Sequence, residues 1–139
     1  MRIFLDANVL FSAARSSGAV RQLVVALHEL GHSLVADEYV AEEARRNVAA
    51  KASREATDYL KALLDQLEVH AVQFQSVSQA SVQWLPAKDR PVLMAAIALK
   101  CEALVTGDRT HFGTGYGKTF EGVTVYSPAQ LALAVFSPV

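Results

Sequence analysis

The chain carries a single cysteine, Cys101, so no internal disulfide can staple it. A lone thiol suits a reducing compartment. Cys101 closes an apolar segment and reads as a small buried hydrophobe, with no histidine placed to make it a nucleophile. No apolar run approaches the roughly 18 residues that span a bilayer. Met1-Arg2 leads straight into a strand-like segment without a secretory pattern. The expected location is therefore cytoplasmic, with no membrane role. Neither sign of charge dominates: 13 Lys and Arg stand against 14 Asp and Glu, for a net charge of −1. That excludes a broad basic surface as the main device for holding nucleic acid. It leaves open a cluster of acids that offsets local cations. A Gly-rich phosphate loop is also missing, which argues against a dinucleotide or P-loop protein.

What the chain does have is apolar material: 52% of its 139 residues are hydrophobic, enough for one domain over 1–139 with a substantial core. The excess points to a buried oligomer or partner interface, and a homodimer is expected. Residues 2–7 read as a buried strand. Gly18 to Leu30 carries Val20, Leu23, Val24, Leu27 and Leu30 at helical spacing, ended by Gly31. Ser33–Ala36 is a second strand. Asp37 then caps a helix to about Ala50, and Ser53 caps another with a stripe of Leu60, Leu63, Leu64 and Leu67. Val69 to Phe74 alternates weakly, as a strand would, and 75–87 reads as a loop with a short helix. Pro91 opens a helix to Lys100. Ala103–Thr106 and Val123–Tyr126 are strands, separated by a long Gly-rich loop over 107–122, and Ser127-Pro128 opens a last helix through Phe136. The alternation predicts an α/β fold with a central parallel sheet of about five strands flanked by helices. The helices 91–100 and 128–136 are apolar nearly all round. They are either central in their layer or packed against a second subunit.

The acids stand at telling places. Asp6 follows Ile3-Phe4-Leu5, and Asp108 follows Ala103-Leu104-Val105-Thr106-Gly107, so each leaves a buried strand. Glu42 and Glu43 lie early on the helix after the second strand, and Asp89 just before another helix. In a parallel sheet the strand C-termini and the following helix N-termini share one edge, where ligands bind. Several carboxylates in one space repel, and one or more would take up a proton. A divalent cation with a taste for hard oxygen, Mg²⁺ or Mn²⁺, removes that penalty. Such an ion keeps waters that can attack and can steady a phosphoryl group. Phosphodiester hydrolysis combines these features most naturally.

The segments Ile3-Phe4-Leu5-Asp6-Ala7-Asn8-Val9-Leu10, Tyr39-Val40-Ala41-Glu42-Glu43-Ala44-Arg45-Arg46, Lys88-Asp89-Arg90-Pro91-Val92-Leu93 and Leu104-Val105-Thr106-Gly107-Asp108-Arg109-Thr110-His111-Phe112 resemble, in that order, the PIN-domain metal-dependent nucleases, especially small VapC-like toxins. The resemblance implies a three-layer PIN fold and one or two Mg²⁺ or Mn²⁺ ions. It also implies endonucleolytic cleavage of single-stranded RNA to a 5′-phosphate and a 3′-hydroxyl, and a cognate antitoxin as partner. Carried over by position, Asp6, Glu43, Asp89 and Asp108 are the acidic ligands and catalytic groups, with Asn8 and Thr106 supporting them. Glu43 is preferred to Glu42 because it directly precedes Ala44-Arg45-Arg46. Where some members have a further acid after Thr-Gly-Asp, this chain has Thr110 and His111. That departure bears on the second ion, and His111 could bind metal, touch phosphate or cap the loop.

Blander readings compete at each position. Asp6 and Asn8 could cap turns, and Asp89 could N-cap the helix at Pro91. Thr106 could be structural, while Gly107 would permit a tight turn. Arg15, Lys88, Arg90, Arg109 and Lys118 could hold RNA phosphates or be solvated cations, whereas Arg45, Arg46, Lys51 and Arg54 read as a solvated helix face. Phe112, Tyr116 and Phe120 are expected to anchor their loop rather than stack on bases. His28, His32 and His70 receive no chemistry. The rival functions are a non-catalytic RNA- or protein-binding module, a Mg²⁺-dependent phosphatase and a DNA nuclease. A phosphatase with an aspartyl intermediate would want an acid where Asn8 stands.

Overall fold

The computed structural model describes residues 1–72 and 77–136. Ile3, Phe4 and Leu5 are fully buried in β1 (Arg2–Leu5), as an unbroken apolar run requires of a parallel strand covered on both faces. Asp6 ends β1 and caps α1 (Ala7–Arg15), which buries Val9, Leu10, Ala13 and Ala14. The chain continues through α2 (Ala19–Glu29), β2 (Ser33–Asp37), α3 (Glu38–Lys51), α4 (Arg54–Gln66) and β3 (Glu68–His70). The expected strand tail at Gln73-Phe74 and the loop start at Gln75-Ser76 lie outside the described residues. A 3-10 turn at Gln79–Ser81 precedes α5 (Arg90–Ala98) and β4 (Ala103–Val105). Both predicted caps are made: Asp37 Oδ1 accepts the Val40 N–H at 3.0 Å and Ser53 Oγ the Ala56 N–H at 3.2 Å.

The Gly-rich stretch after β4 is not one long loop. It holds α6 (Arg109–Phe112), a 3-10 turn at Gly113–Gly115 and a short strand, β5 (Thr119–Phe120). Residues Glu121 and Gly122 both take positive φ, 46° and 87°, and turn β5 into β6 (Val123–Tyr126) as a two-residue hairpin. The chain then closes with α7 (Pro128–Phe136).

Among the described residues the sheet has six strands, ordered β3-β2-β1-β4-β6-β5, one more than the five or so expected; β5 is antiparallel and the other pairings are parallel. Seven α-helices flank it among the described residues, and none of these is long and apolar enough to cross a membrane. The winding runs from β1 outward to β2 and β3 on one side, and to β4 and β6 on the other. The direction of crossover thus reverses between β1 and β4, which opens a crevice at their C-terminal ends. The Asp6 N–H still donates to Val105 O at 3.1 Å and Thr106 N–H to Tyr126 O at 3.0 Å, so the ladder carries both strand ends to that crevice in register. Of the two all-apolar helices, α5 buries Val92, Leu93, Ala95 and Ala96. By contrast α7 buries Leu131 and leaves Leu133 68% exposed.

Candidate metal centre

The crevice between β1 and β4 is a cleft of about 350 Å³. It is lined by Asp6, Asn8, Glu43, Lys88, Asp89, Gly107 and Asp108, with Ser12, Tyr39, Asn47 and Val92 on its walls. Four acids from four separate stretches of chain thus face one space.

Asp6 is the anchor, and it is buried. Its Oδ1 accepts the Ala7 N–H at 2.8 Å, which starts α1. Its Oδ2 accepts from Thr106 Oγ at 2.8 Å and from Asn8 Nδ2 at 3.1 Å. The capping reading and the site reading therefore coexist in one side chain. Asn8 is held the right way round because its Oδ1 accepts the Gly107 N–H at 2.7 Å, leaving Nδ2 to donate to the carboxylate. A Cβ on Gly107 would lie 3.2 Å from that same oxygen, so the glycine serves close approach rather than a left-handed turn. Thr106 Oγ also accepts the Asp108 N–H at 3.2 Å. These bonds weld the ends of β1 and β4 together.

Asp6 pays for its place in desolvation: burial pushes its carboxyl up to about 6. The Thr106 and Ala7 hydrogen bonds oppose that rise, and the Glu43 and Asp89 charges add to it. Burial also raises Asp89, helped by Asp108 and opposed by His111 and Lys88. Tyr39 rises through burial and then through Glu43, Asp89 and Asp6. These shared causes are the electrostatic signature of crowded negative charge.

On α3, Glu43 faces the cleft, whereas Glu42 is exposed with Arg45 Nη1 at 3.7 Å. Asp89 occupies the N-cap position of α5 but makes no side-chain cap. Its Oδ2 is buried without a hydrogen bond. The His111 Nδ1 stands 3.1 Å from that oxygen, and 2.8 Å from Asp108 Oδ2. One ring N–H cannot serve both, and the shorter, better-directed contact to Asp108 takes it. Asp108 caps α6 as well, its Oδ1 accepting the His111 N–H at 3.1 Å. Ligand atoms of Asp89, Asp108 and His111 all lie within 4.8 Å of one another. Hard oxygens, one imidazole and an orphaned buried carboxylate oxygen form a donor set that a divalent cation fits.

The arginines expected at phosphate are placed differently. The Arg90 guanidinium turns inward, donating from Nε to Leu85 O at 2.9 Å and from Nη2 to Gln83 O at 3.4 Å. Arg15 ends α1, about 13 Å along the helix axis from Asp6, with its guanidinium 5.9 Å over the Phe11 ring. Arg109, exposed at the start of α6, and Lys118, beside Trp84 and Phe120, line no part of the cleft. Among the described lining residues Lys88 is the one cation. Tyr39, Ser12 and Asn47 escape a reading of the sequence alone. Ser12 and Asn47 stand one turn beyond Asn8 and Glu43, an i,i+4 signal that marks a shared helix face. Tyr39 donates its hydroxyl to Lys88 O at 2.9 Å, which ties the α3 start to the Asp89 segment.

A parallel-centred sheet with an acid-lined crevice is the architecture of an α/β metal-site domain, and residues 2–110 match the PIN domain family model; the chain belongs to that family. Two solved structures share its fold. One is VapBC2 from Rickettsia felis, bound to a DNA fragment from the promoter, at TM-score 0.64 and 16% identity over 91% of this chain and 98% of that one. The other is VapBC-1 from nontypeable Haemophilus influenzae, at TM-score 0.63 and 11% identity over 93% of this chain and 99% of that one. No curated protein matches the sequence.

Proposed function

We propose that residues 1–139 form one nuclease domain that hydrolyses phosphodiester bonds of single-stranded RNA with Mg²⁺ or Mn²⁺. The observation that carries this reading is the convergence of Asp6, Glu43, Asp89 and Asp108 on one cleft at the β1/β4 crevice. These acids would hold one or two ions. When bound, an ion supplies an activated water and positive charge at the developing phosphorane. Asn8 and Thr106 fix the Asp6 carboxylate in direction, so little reorganisation accompanies the reaction. Lys88, the cation among the described lining residues, would hold a substrate phosphate. Water oxygen bonds to phosphorus, the bond from phosphorus to O3′ breaks, and the departing O3′ takes up a proton. The products are a 5′-phosphate and a 3′-hydroxyl.

The fold shared with the VapBC structures supports a toxin held in check by an antitoxin, acting in the cytoplasm. The open apolar side of α7, at Leu133 and Phe136, supports a homodimer.

The test is incubation with single-stranded RNA and DNA of matched sequence, with Mn²⁺ or Mg²⁺, with chelator, and with Asp6→Asn and Asp108→Asn proteins. RNA should be cut only with metal, and each substitution should lower the rate at least ~100-fold, as loss of a preorganised charge typically does. Cleavage that survives in both substituted proteins, or a preference for DNA, overturns the reading.

A further inference from the structure

The turn after β4 departs from an all-carboxylate metal site in one atom. His111 sits three residues after Asp108 on α6, and the backbone bond from His111 N–H to Asp108 Oδ1 fixes that turn. The ring is thereby delivered to the acids rather than to solvent, with Nδ1 at 2.8 Å from Asp108 Oδ2 and 3.1 Å from Asp89 Oδ2. Adjacent ligands around a six-coordinate ion, each bound at roughly 2.1 Å, stand about 3 Å apart. Both distances from the ring nitrogen match that spacing, and ligand atoms of all three residues lie within 4.8 Å of one another. The alternative, a ring that merely hydrogen-bonds the pair, leaves one oxygen unserved. Asp89 Oδ2 is buried and has no hydrogen bond, and an orphaned charged acceptor is costly. A cation touching all three atoms would satisfy every one of them.

We propose that His111 is itself a metal ligand, binding through Nδ1 beside Asp89 and Asp108, and that this nitrogen makes the site prefer Mn²⁺ to Mg²⁺. The inference rests on the metal-dependent reading above. Its chemistry is that of ligand softness. Mg²⁺ is a hard ion that takes carboxylate, carbonyl and water oxygens, whereas imidazole favours first-row transition ions. Exchanging a carboxylate for an imidazole also removes one negative charge from the set, which weakens Mg²⁺ most because its binding is almost purely electrostatic.

The test uses the full chain loaded with Mn²⁺ and pulsed electron paramagnetic resonance, which detects nitrogen bound to the ion without any activity measurement. The wild type should show ¹⁴N modulation of the imidazole kind, converted to the ¹⁵N pattern when histidine alone is labelled. The modulation should vanish in His111→Asp and His111→Ala. Calorimetric titration should show the ratio of Mn²⁺ to Mg²⁺ affinity falling about tenfold in His111→Asp, which restores an oxygen donor. The wild-type spectrum decides the matter even where a variant fails to fold. Mn²⁺ bound with no nitrogen coupling overturns the inference and leaves the nuclease reading standing, with His111 as a clasp on two carboxylates. A wild type that binds no Mn²⁺ overturns both.

Discussion

Asp6 shows how one residue can serve the fold and strain it together. The same carboxylate starts α1, closes the β1/β4 seam through Thr106, and sits among Glu43 and Asp89. Its folded value of about 6 lies above its ordinary 3.8. The folded protein therefore binds the proton more tightly than the unfolded chain does. That contribution to stability is fully present below about pH 4 and is lost as pH rises through about 6. The difference corresponds to roughly 3 kcal/mol. In chelator, the stability of the wild type relative to Asp6→Ala should fall by about that amount between pH 4 and pH 7, read by urea unfolding at each pH. A gap that stays constant, or that widens in favour of the wild type, would show that Asp6 is not the strained group. Asp6 is legible from sequence because a charged side chain directly after the buried run Ile3-Phe4-Leu5 marks the end of a strand. Arg90 is not, for a complementary reason. Its neighbours Lys88 and Asp89 do face the cleft, but sequence cannot show that the carbonyls of Gln83 and Leu85 claim its guanidinium.

The elements that position the site divide into those with a periodic signal and those without. The helix α2 announces itself by Leu and Val spacing, α3 by its Asp37 cap, and α4 by both its Ser53 cap and its leucine stripe. The first helix does not: the strand reading runs to Ala7, and no element is assigned between it and Gly18, because Ala7-Asn8-Val9-Leu10 follows the apolar run of β1 without a clear helical break. Its true sign is the side chain of Asp6 capping Ala7. The stretch 107–122 reads as a loop because five glycines suppress every propensity signal. One of them, Gly115, is demanded by packing. A Cβ there would stand 2.3 Å from the Trp84 ring, which stacks on Phe120 at 4.9 Å and meets Phe112 edge-on at 6.1 Å. The neighbouring Tyr116 hydroxyl donates to Thr106 O at 2.7 Å, so this aromatic cluster braces the strand end that carries Asp108. As expected from sequence, Phe112 and Tyr116 anchor their segment. Gly115→Ala should therefore cost about 1–3 kcal/mol by overpacking. It should red-shift or broaden Trp84 fluorescence as the ring is displaced toward solvent. Unchanged stability and emission would show that the cluster gives way freely.

At the scale of the whole molecule, a net charge of −1 conceals a strongly uneven distribution. Four acids crowd the β1/β4 crevice, with Lys88 as the cation among its described lining residues. An ion that binds only the folded chain stabilises it by mass action, by about 2.7 kcal/mol at a hundredfold excess over Kd. For a chain of this size that is a rise on the order of 10 °C in Tm. Scanning calorimetry in chelator and in excess Mn²⁺ should show this rise, and the rise should be lost in Asp108→Asn. Identical melting curves would mean that the crevice is merely an acidic surface.

The hydrogen bond from Thr106 to Asp6 spans 100 positions of sequence, and that distance sets an order of events during synthesis. β1 lies between β2 and β4, and β4 is made only after β2, β3 and the intervening helices. Until residue 108 has emerged, the early acids have nothing to converge upon. The β1/β4 seam, and with it the crevice, can therefore close only once the chain has been made through Thr106, well after β1, β2 and the helices between them.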